Sequence, residues 1–279
     1  MINNKHFQSI LKIIRSLTYA YDTWAIFNDF LEMAAICINN TFDLQQFDAR
    51  EKQYLSTINK YPPDVQKLFP EMFAELVLAL EHEYQSGSFT DVLGTLFHEL
   101  ELHNKWRGQF FTPGHICVMM GKMLIGDHDK AIEEQGYISV MEPACGSGAM
   151  VLGFAQAMRD YNYNHSQQLL VTAIDIDLKC IYMCYIQLSL YGIPAKVVHG
   201  DSLTLETWSC WYIPAYIING WGWRSRKRSD GVVPDVKIDT EPIADNTQEP
   251  LKDTQPKVVM PTSKEVMQLH KQLSLFDIE

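Results

Sequence analysis

The first hundred residues carry apolar side chains at intervals of three and four, the spacing that gathers them on one face of a helix. One apolar row follows Asp22, which is placed to cap its helix. A second row, over residues 65–80, follows a pair of prolines, and a third, over residues 92–100, follows Thr90, which we expect as its cap. The pattern predicts a helical region over residues 1–104.

After residue 105, short apolar runs alternate with segments whose apolar residues have helical spacing. We predict strands at residues 137–142, 169–174 and 195–199, helices between them at residues 149–161 and 178–191, a helix ahead of them at residues 116–124, and a strand-like segment after them at residues 208–218. Alternating strands and helices indicate right-handed crossovers and a parallel sheet. We therefore expect a reduced, Rossmann-like α/β core over residues 105–228, with about four strands in the order 3-2-1-4.

The last part of the chain, residues 229–279, is rich in proline and in polar and charged residues, which predicts a mobile, disordered tail. The net charge of −11 divides into −7 over residues 1–104, +1 over residues 105–228 and −5 over the tail. An acidic chain is a poor candidate for binding DNA, because phosphate contacts supply most non-specific affinity. We expect any DNA-contacting surface in the core or on a partner.

The composition, with 47% hydrophobic and 20% charged residues, is that of a soluble globular protein. No apolar run approaches the roughly 18 residues of a membrane span, and charges interrupt the first twenty residues, so we expect no secretory signal. The six cysteines include no Cys-x-x-Cys pair, and His98 and His103, five residues apart, do not share a helix face. We expect Cys180 and Cys184 in the core, no metal site, reduced thiols and a cytoplasmic protein.

Three polar features fall at the predicted carboxyl ends of strands, where ligands bind in sheets of this kind. The first is the turn Glu142-Pro-Ala-Cys-Gly-Ser-Gly148, whose glycines let a ligand approach and whose following helix offers N–H groups to a carboxylate. Asp175 could accept hydrogen bonds from both hydroxyls of a ribose, and Asp201 could accept one from an exocyclic amine. S-adenosylmethionine satisfies all three. NAD is a rival, although Val151 occupies the place of the third glycine of its motif, and a turn without a ligand is the other alternative.

The segment Gly108-Gln-Phe-Phe-Thr-Pro-Gly114 lies just ahead of the helix predicted at residues 116–124. Its aromatic rings could form a lid over the ligand. Alternatively, it only begins the helix, with Thr112 as the cap and Pro113 in the first turn.

Four segments in this order resemble the N6-adenine DNA methyltransferases, and most closely the modification subunits of type I restriction systems. The segments are Gly108-Gln-Phe-Phe-Thr-Pro113, Glu142-Pro-Ala-Cys-Gly-Ser-Gly148, Ala173-Ile-Asp-Ile-Asp177 and His199-Gly-Asp-Ser-Leu203. The resemblance covers about residues 90–203. Glu142 stands where the family usually has Asp, which keeps the charge.

This resemblance implies a binding site for S-adenosylmethionine. The implied site residues are Gln109, Phe110, Phe111, Thr112, Pro113, Glu142, Gly146, Ser147, Gly148, Asp175 and Asp201. Residues 146–148 would cradle the methionine part, Asp175 would hold the ribose, and Asp201 would hold the adenine.

The family's catalytic tetrapeptide, Asn/Asp-Pro-Pro-Tyr/Phe, is absent from this sequence. In the family its side chain and a proline carbonyl hold the target amine, and its aromatic ring stacks on the flipped base. The nearest candidate is Ile213-Pro-Ala-Tyr216, in which Pro214 could offer a carbonyl and Tyr216 could stack, while Ile213 offers no side-chain acceptor. We take Pro214 and Tyr216 as the candidate catalytic residues.

Two further segments suggest macromolecular partners. A basic cluster beside two tryptophans could touch DNA phosphates, or it could be a solvated end of the fold; its members are Arg224, Arg226, Lys227 and Arg228. The pentapeptide Gln272-Leu-Ser-Leu-Phe276 matches the peptide by which bacterial replication and repair proteins bind the DNA sliding clamp. Leu273, Leu275 and Phe276 would fill an apolar pocket on the clamp, with Gln272 setting the register.

Together these features predict a DNA methyltransferase-like protein that transfers a methyl group to adenine N6 if it is active. The main alternative is a catalytically silent adaptor that binds the cofactor, DNA or the sliding clamp. A third hypothesis, a methyltransferase for small molecules or proteins, predicts transfer without DNA. A partner subunit could complete the sheet.

Overall fold

The computed structural model describes residues 4–102, 112–126 and 129–226, without the side chains of residues 129–131 and 226. Residues 4–102 form helices, namely α1 (Lys5–Leu17), α2 (Thr23–Asn40), α3 (Phe47–Ile58), α4 (Pro63–Gln66), α5 (Leu68–Gln85) and α6 (Val92–Glu99). The side chain of Asp22 accepts a hydrogen bond from the N–H of Ala25, so the predicted cap of α2 is confirmed. The cap of α6 is Asp91 and not the expected Thr90.

The remaining described residues alternate helices with strands. They form α7 (Gly114–Ile125), α8 (Asp129–Gln135), β1 (Ile138–Glu142), α9 (Ala149–Asp160), α10 (His165–Gln168), β2 (Leu169–Asp175), α11 (Leu178–Leu190), β3 (Ala195–Asp201), β4 (Glu206–Tyr212), α12 (Pro214–Ile218) and α13 (Trp221–Arg226). β1, β2 and β3 are parallel neighbours, as predicted, and they bring the ends of all three strands to one edge of a four-stranded mixed sheet.

The position of β4 corrects the expected strand order. The sheet runs β1-β2-β3-β4, and β4 pairs antiparallel with β3 instead of lying beside β1. Only four residues, 202–205, connect β3 to β4. Such a short connection makes a hairpin, whereas a parallel strand needs a crossover of a dozen or more residues. The strand predicted over residues 208–218 also ends earlier, because Pro214 begins α12 at a position where its missing N–H does no harm.

The helical region packs directly on the sheet layer. α11 lies over β2 and β3, and α2 packs against α11. The side-chain amide of Asn39 donates to the hydroxyl of Tyr185 over 3.0 Å, and the Arg50 guanidinium lies 4.1 Å from the ring centre of Trp211. The buried residues of both regions form one continuous hydrophobic core, in which each fully buried Leu, Ile or Phe contributes roughly 1.5–3 kcal/mol.

Across residues 4–102, 112–126 and 129–226, every helix is too short or too polar to cross a lipid bilayer.

Candidate functional site

Three carboxylates end the three parallel strands at one edge of the sheet. Glu142 is the last residue of β1, Asp175 of β2 and Asp201 of β3. In the register of the sheet Glu142 pairs with Ala173, and Asp175 pairs with His199, so successive strand ends are staggered by two residues. The strand order therefore places Asp175 between the other two acids, as the sequence predicted.

A tight turn connects β1 to α9 and is bonded to the end of β2. The backbone N–H of Gly146 donates to Oδ2 of Asp175 over 2.8 Å, and the N–H of Cys145 donates to the carbonyl of Ile174 over 2.8 Å. The other oxygen of Asp175 accepts from the N–H of Asp177 over 2.9 Å. Asp175 thus holds the turn against β2, while each of its oxygens keeps a lone pair for a ligand.

Gly148 closes the turn in a backbone conformation that favours glycine. Its φ is +96°, and a Cβ on Gly148 would lie 3.2 Å from Sγ of Cys184. α9 begins at the next residue, Ala149, and has no side-chain cap. The N–H groups of its first turn are therefore donors available to an anionic group at this edge of the sheet.

Ser147 points into the protein and not toward the open edge. Its side chain is fully buried, and its hydroxyl donates to Oδ2 of Asp91 over 2.5 Å. Its carbonyl accepts a hydrogen bond from the side-chain amide of Gln187 over 2.8 Å. Ser147 could meet a ligand only through its backbone, because its side chain is bonded on the inner side of the turn.

Glu142 and Asp201 flank Asp175 with different surroundings. Burial raises the pKa of Glu142, the N–H of Ala144 opposes this rise, and the nearby negative charge of Asp175 adds to it. Oδ1 of Asp201 accepts from the N–H groups of Leu203 and Thr204 at 2.8 and 3.3 Å and so fixes the hairpin. Its Oδ2 remains an acceptor for a ligand donor.

Buried thiols pack beneath the turn. Cys145, Cys180 and Cys184 are all buried. A hydrogen bond with the Cys184 thiol and burial raise the pKa of Cys145, and burial raises the pKa of Cys180. The three thiols are therefore packing groups beneath the turn, and the burial of Cys180 and Cys184 agrees with the prediction for the pair on α11.

The residues present fit a ligand that combines a carboxylate, a ribose and an amino-purine. Uncapped N–H groups at α9 suit the carboxylate, the free lone pairs of Asp175 suit the hydroxyls, and the second oxygen of Asp201 suits the amine. Gly148 suits the turn because its φ of +96° strains any other residue and because a Cβ there would lie in tight contact with Cys184.

The segment ahead of α7 reaches the same neighbourhood through its last residues. Pro113 precedes α7, which has no side-chain cap, so Thr112 is not the cap that the sequence suggested. The Cys117 thiol contacts the carbonyl of Thr112 at 3.5 Å, and a Cβ on Gly153 of α9 would lie 2.5 Å from Cys117. The first turn of α7 is therefore pressed against the helix that follows the glycine turn. Gln109, Phe110 and Phe111 lie outside the described residues.

A family model described as N-6 DNA methylase matches residues 86–250, more than half of the chain. The chain belongs to this family. The match begins shortly before α6 and includes the whole strand and turn arrangement at the candidate site. No curated protein and no solved structure matches the chain.

The candidate catalytic residues of this N-6 DNA methylase relative are not at the candidate site. Because β4 runs back along β3, Tyr212 pairs with Lys196 near the start of β3, and Ile213 donates its N–H to the carbonyl of Ala195. Pro214 and Tyr216 follow in α12 and therefore lie at the amino ends of the parallel strands, opposite Asp175 and Asp201. The hairpin reverses the chain after Asp201, and this reversal is why the two candidate residues lie at the other edge of the sheet.

The described part of the predicted DNA contact is also at that opposite edge. The Arg224 guanidinium donates to the carbonyl of Gln167, just before β2, over 3.1 Å and lies 3.9 Å from the ring centre of Trp221. The side chain of Arg226 and all of Lys227 and Arg228 lie outside the described residues, as does the pentapeptide with Gln272, Leu273, Leu275 and Phe276.

Two residues that reach the glycine turn, Asp91 and Gln187, were not predicted from the sequence. The side-chain amide of Gln187 donates to Oδ1 of Asp91 over 2.8 Å as well as to the carbonyl of Ser147. One signal was available for Gln187, because it is a polar residue within a stretch of α11 that is otherwise apolar or aromatic and is buried.

Proposed function

We propose that this protein binds S-adenosylmethionine on a reduced Rossmann-like core and that it methylates adenine N6 in DNA. The observation that supports this most strongly is the bonding of the glycine turn to Asp175, between two further acidic strand ends. Members of the N-6 DNA methylase family normally use S-adenosylmethionine. When bound, this cofactor supplies a methyl group that can be transferred to an amine.

Each part of the cofactor has residues in this chain that would hold it. The N–H groups after Gly148 would bind the methionine carboxylate, and Asp175 would accept hydrogen bonds from the ribose hydroxyls. Asp201 would accept one from the adenine amine, and Glu142 would lie beside the turn. Thr112 and Pro113, together with Gln109, Phe110 and Phe111, would border the same pocket.

The charge of the site also suits this cofactor. Glu142, Asp175, Asp177 and Asp201 lie at or next to the strand ends, and Lys179 is paired with Asp177 at 2.5 Å. S-adenosylmethionine carries a positive sulfur and an ammonium group, which this acidic edge would attract. NAD carries a negatively charged pyrophosphate, and Val151, buried in α9, replaces the third glycine of the motif that binds it.

A second function, a catalytically silent adaptor, is favoured by the position of Pro214 and Tyr216. These residues lie at the amino ends of the strands, so they do not face a base presented to the cofactor. In this case the protein would hold the cofactor and a partner without transferring the methyl group. β1 is an edge strand among the described residues, so a partner subunit that added a strand beside it would complete the sheet and could hold the base.

The tail provides a further proposed partner. Residues 272–276 would bind the DNA sliding clamp, with three apolar side chains in a pocket and Gln272 setting the register. Binding to a clamp would bring an acidic protein close to DNA, which its own net charge of −11 opposes. The basic residues Arg224, Arg226, Lys227 and Arg228 would be a secondary contact with phosphates.

The experiment that tests the proposed enzyme is transfer of a tritiated methyl group from S-adenosylmethionine to adenine-rich DNA. Incorporation that depends on DNA and is lost in Asp201→Ala supports the methyltransferase. Cofactor binding without incorporation supports the adaptor. Incorporation without DNA, into a protein or a small molecule, would contradict both and indicate another class of methyltransferase.

A further inference from the structure

The helical region contributes a carboxylate that reaches the inner side of the glycine turn. Asp91 precedes α6 and caps it, because Oδ1 accepts from the N–H of Gly94 over 2.8 Å. Its other oxygen, Oδ2, accepts from the buried hydroxyl of Ser147 over 2.5 Å. One side chain thus ends a helix and fastens a turn that lies 56 residues further along the chain.

Gln187 of α11 joins the same two partners. Its amide nitrogen donates to Oδ1 of Asp91 and to the carbonyl of Ser147, both over 2.8 Å, and its amide oxygen accepts from the N–H of Leu93 over 3.1 Å. Ser147 and Gln187 are fully buried. Both ends of the amide are therefore satisfied, as a buried polar group requires.

These contacts hold the turn from its buried side. Gly146, one residue earlier, is held on the open side by Asp175, and Gly148, one residue later, immediately precedes α9. The N–H groups that would meet a ligand therefore follow directly after two turn residues, Gly146 and Ser147, that two carboxylates bond from opposite sides. A hydrogen bond to an ionised group is stronger than one between neutral groups, so the Asp91 link can hold this geometry.

We propose that Asp91 is a positioning residue for the cofactor turn and that it acts through Ser147 and Gln187. The helical region is then part of the cofactor site and not only a neighbouring support. This inference rests on the proposed function, since it assigns the turn to S-adenosylmethionine. Asp91 itself does not touch the ligand, because its carboxylate is bonded to Ser147 on the inner side of the turn.

The test compares the same substitution at two helix caps. Asp91→Ser keeps a capping hydroxyl for α6 but is too short to reach Ser147, whereas Asp22→Ser changes the cap of α2, whose carboxylate bonds the N–H of Ala25 in its own helix. A second control, Thr57→Val, removes a buried hydroxyl that donates to Glu32 over 2.6 Å and so matches the kind of bond lost. All are made in the full chain.

Two measurements are made on each variant. Calorimetric titration with S-adenosylmethionine should show affinity about tenfold weaker for Asp91→Ser, the effect of one lost charge-assisted hydrogen bond, and unchanged for both controls. Amide hydrogen exchange without ligand should be faster over residues 144–149 in Asp91→Ser alone. The melting temperature of each variant is also measured. If Asp91→Ser and Thr57→Val lower it equally, faster exchange and weaker binding in Asp91→Ser alone are local effects and not a general loss of stability.

The outcomes distinguish this inference from the proposed function. Unchanged exchange over the turn in Asp91→Ser would overturn the inference, and so would an unchanged affinity in a variant whose parent binds the cofactor. If the unaltered protein does not bind S-adenosylmethionine, the proposed function fails. Faster exchange in Asp91→Ser would then still support the role of Asp91 in holding the turn, and unchanged exchange would overturn that role as well.

Discussion

Each oxygen of the Asp175 carboxylate accepts one backbone hydrogen bond, from Gly146 and from Asp177. The same side chain therefore shapes the turn and presents acceptors to the open edge. Sequence reasoning assigned it only the second role. The structure adds the first, because the turn that follows β1 is bonded across to the end of β2.

Replacing Asp175 tests the ligand role at this scale. We expect Asp175→Ala to weaken S-adenosylmethionine binding by about 1.5–3 kcal/mol, the contribution of hydrogen bonds to a charged group. Calorimetric titration of the full chain measures the loss. Unchanged affinity in a variant that retains its melting temperature would remove Asp175 from the site.

The half-buried carboxylate of Glu142 should reduce stability at neutral pH. Burial raises the pKa of Glu142, so the folded state disfavours the charged form of this side chain. The resulting loss of stability acts at pH values above 4.5, the ordinary pKa of a glutamate. As the pH falls through the raised pKa, Glu142 becomes protonated in the folded protein and the penalty disappears. Glu142→Gln should therefore raise the melting temperature at pH 7 and have little effect near pH 4.

Thermal unfolding followed at several pH values checks this prediction. The exposed Glu206, at the start of β4, provides the control, because Glu206→Gln should leave the melting temperature nearly unchanged. A melting temperature that falls in Glu142→Gln at pH 7 would show that the charge of Glu142 stabilises the fold.

At the scale of elements, the contact between α7 and α9 links the segment ahead of the sheet to the glycine turn. A Cβ on Gly153 would lie 2.5 Å from the backbone carbon and Cβ of Cys117, and one on Gly121 would lie 2.9 Å from Cα of Phe154. Small residues on both helices therefore permit their close approach. The first turn of α7 can then lie beside the first half of α9.

Adding a methyl group at this contact should force the helices apart. Gly153→Ala should lower stability by about 1–3 kcal/mol, the usual range for overpacking, and thereby lower the melting temperature. The matched control is Gly114→Ala at the start of α7, where a Cβ would have no neighbour within 4 Å. Equal melting temperatures for the two variants would contradict the close packing of α7 on α9.

The parallel strands were predictable because their buried apolar runs end at turns and alternate with segments whose apolar residues have helical spacing. The hairpin was not, since the pattern over residues 208–218 does not state which neighbour the strand joins, and a four-residue connection decides it. The same hairpin moved Pro214 and Tyr216 to the opposite edge. The order of the segments along the chain therefore did not predict at which edge of the sheet Pro214 and Tyr216 lie.

The cap of α6 shows a second limit of local pattern. Thr90 and Asp91 are adjacent and both are common cap residues, so sequence spacing does not choose between them. The carboxylate of Asp91 also bonds Ser147 and Gln187, which are 56 and 96 residues away in the chain. These distant partners favour Asp91, and they explain why the network around the turn was missed.

At the scale of the whole molecule, charge and organisation fit a protein that needs help to reach DNA. The formal net charge is −11, and the edge that carries the candidate site is acidic. Electrostatic attraction to phosphates is therefore weak for the protein by itself. A tethered clamp-binding peptide would raise the local concentration of DNA without requiring a basic surface.

Removing the terminal peptide tests that proposal. A chain that ends at residue 271 should no longer be retained by immobilised sliding clamp, while its melting temperature stays the same. Retention equal to that of the full chain would exclude residues 272–279 as the contact. A lower melting temperature would instead show that these residues contribute to the fold.

We propose that the edge formed by Glu142, Asp175 and Asp201 holds S-adenosylmethionine. Calorimetric titration of the unaltered full chain with this compound tests the proposal, with NAD titrated under the same conditions. We expect saturable binding of one S-adenosylmethionine per chain and no binding of NAD. Absence of heat with S-adenosylmethionine at millimolar concentration, or saturable binding of NAD instead, would contradict it.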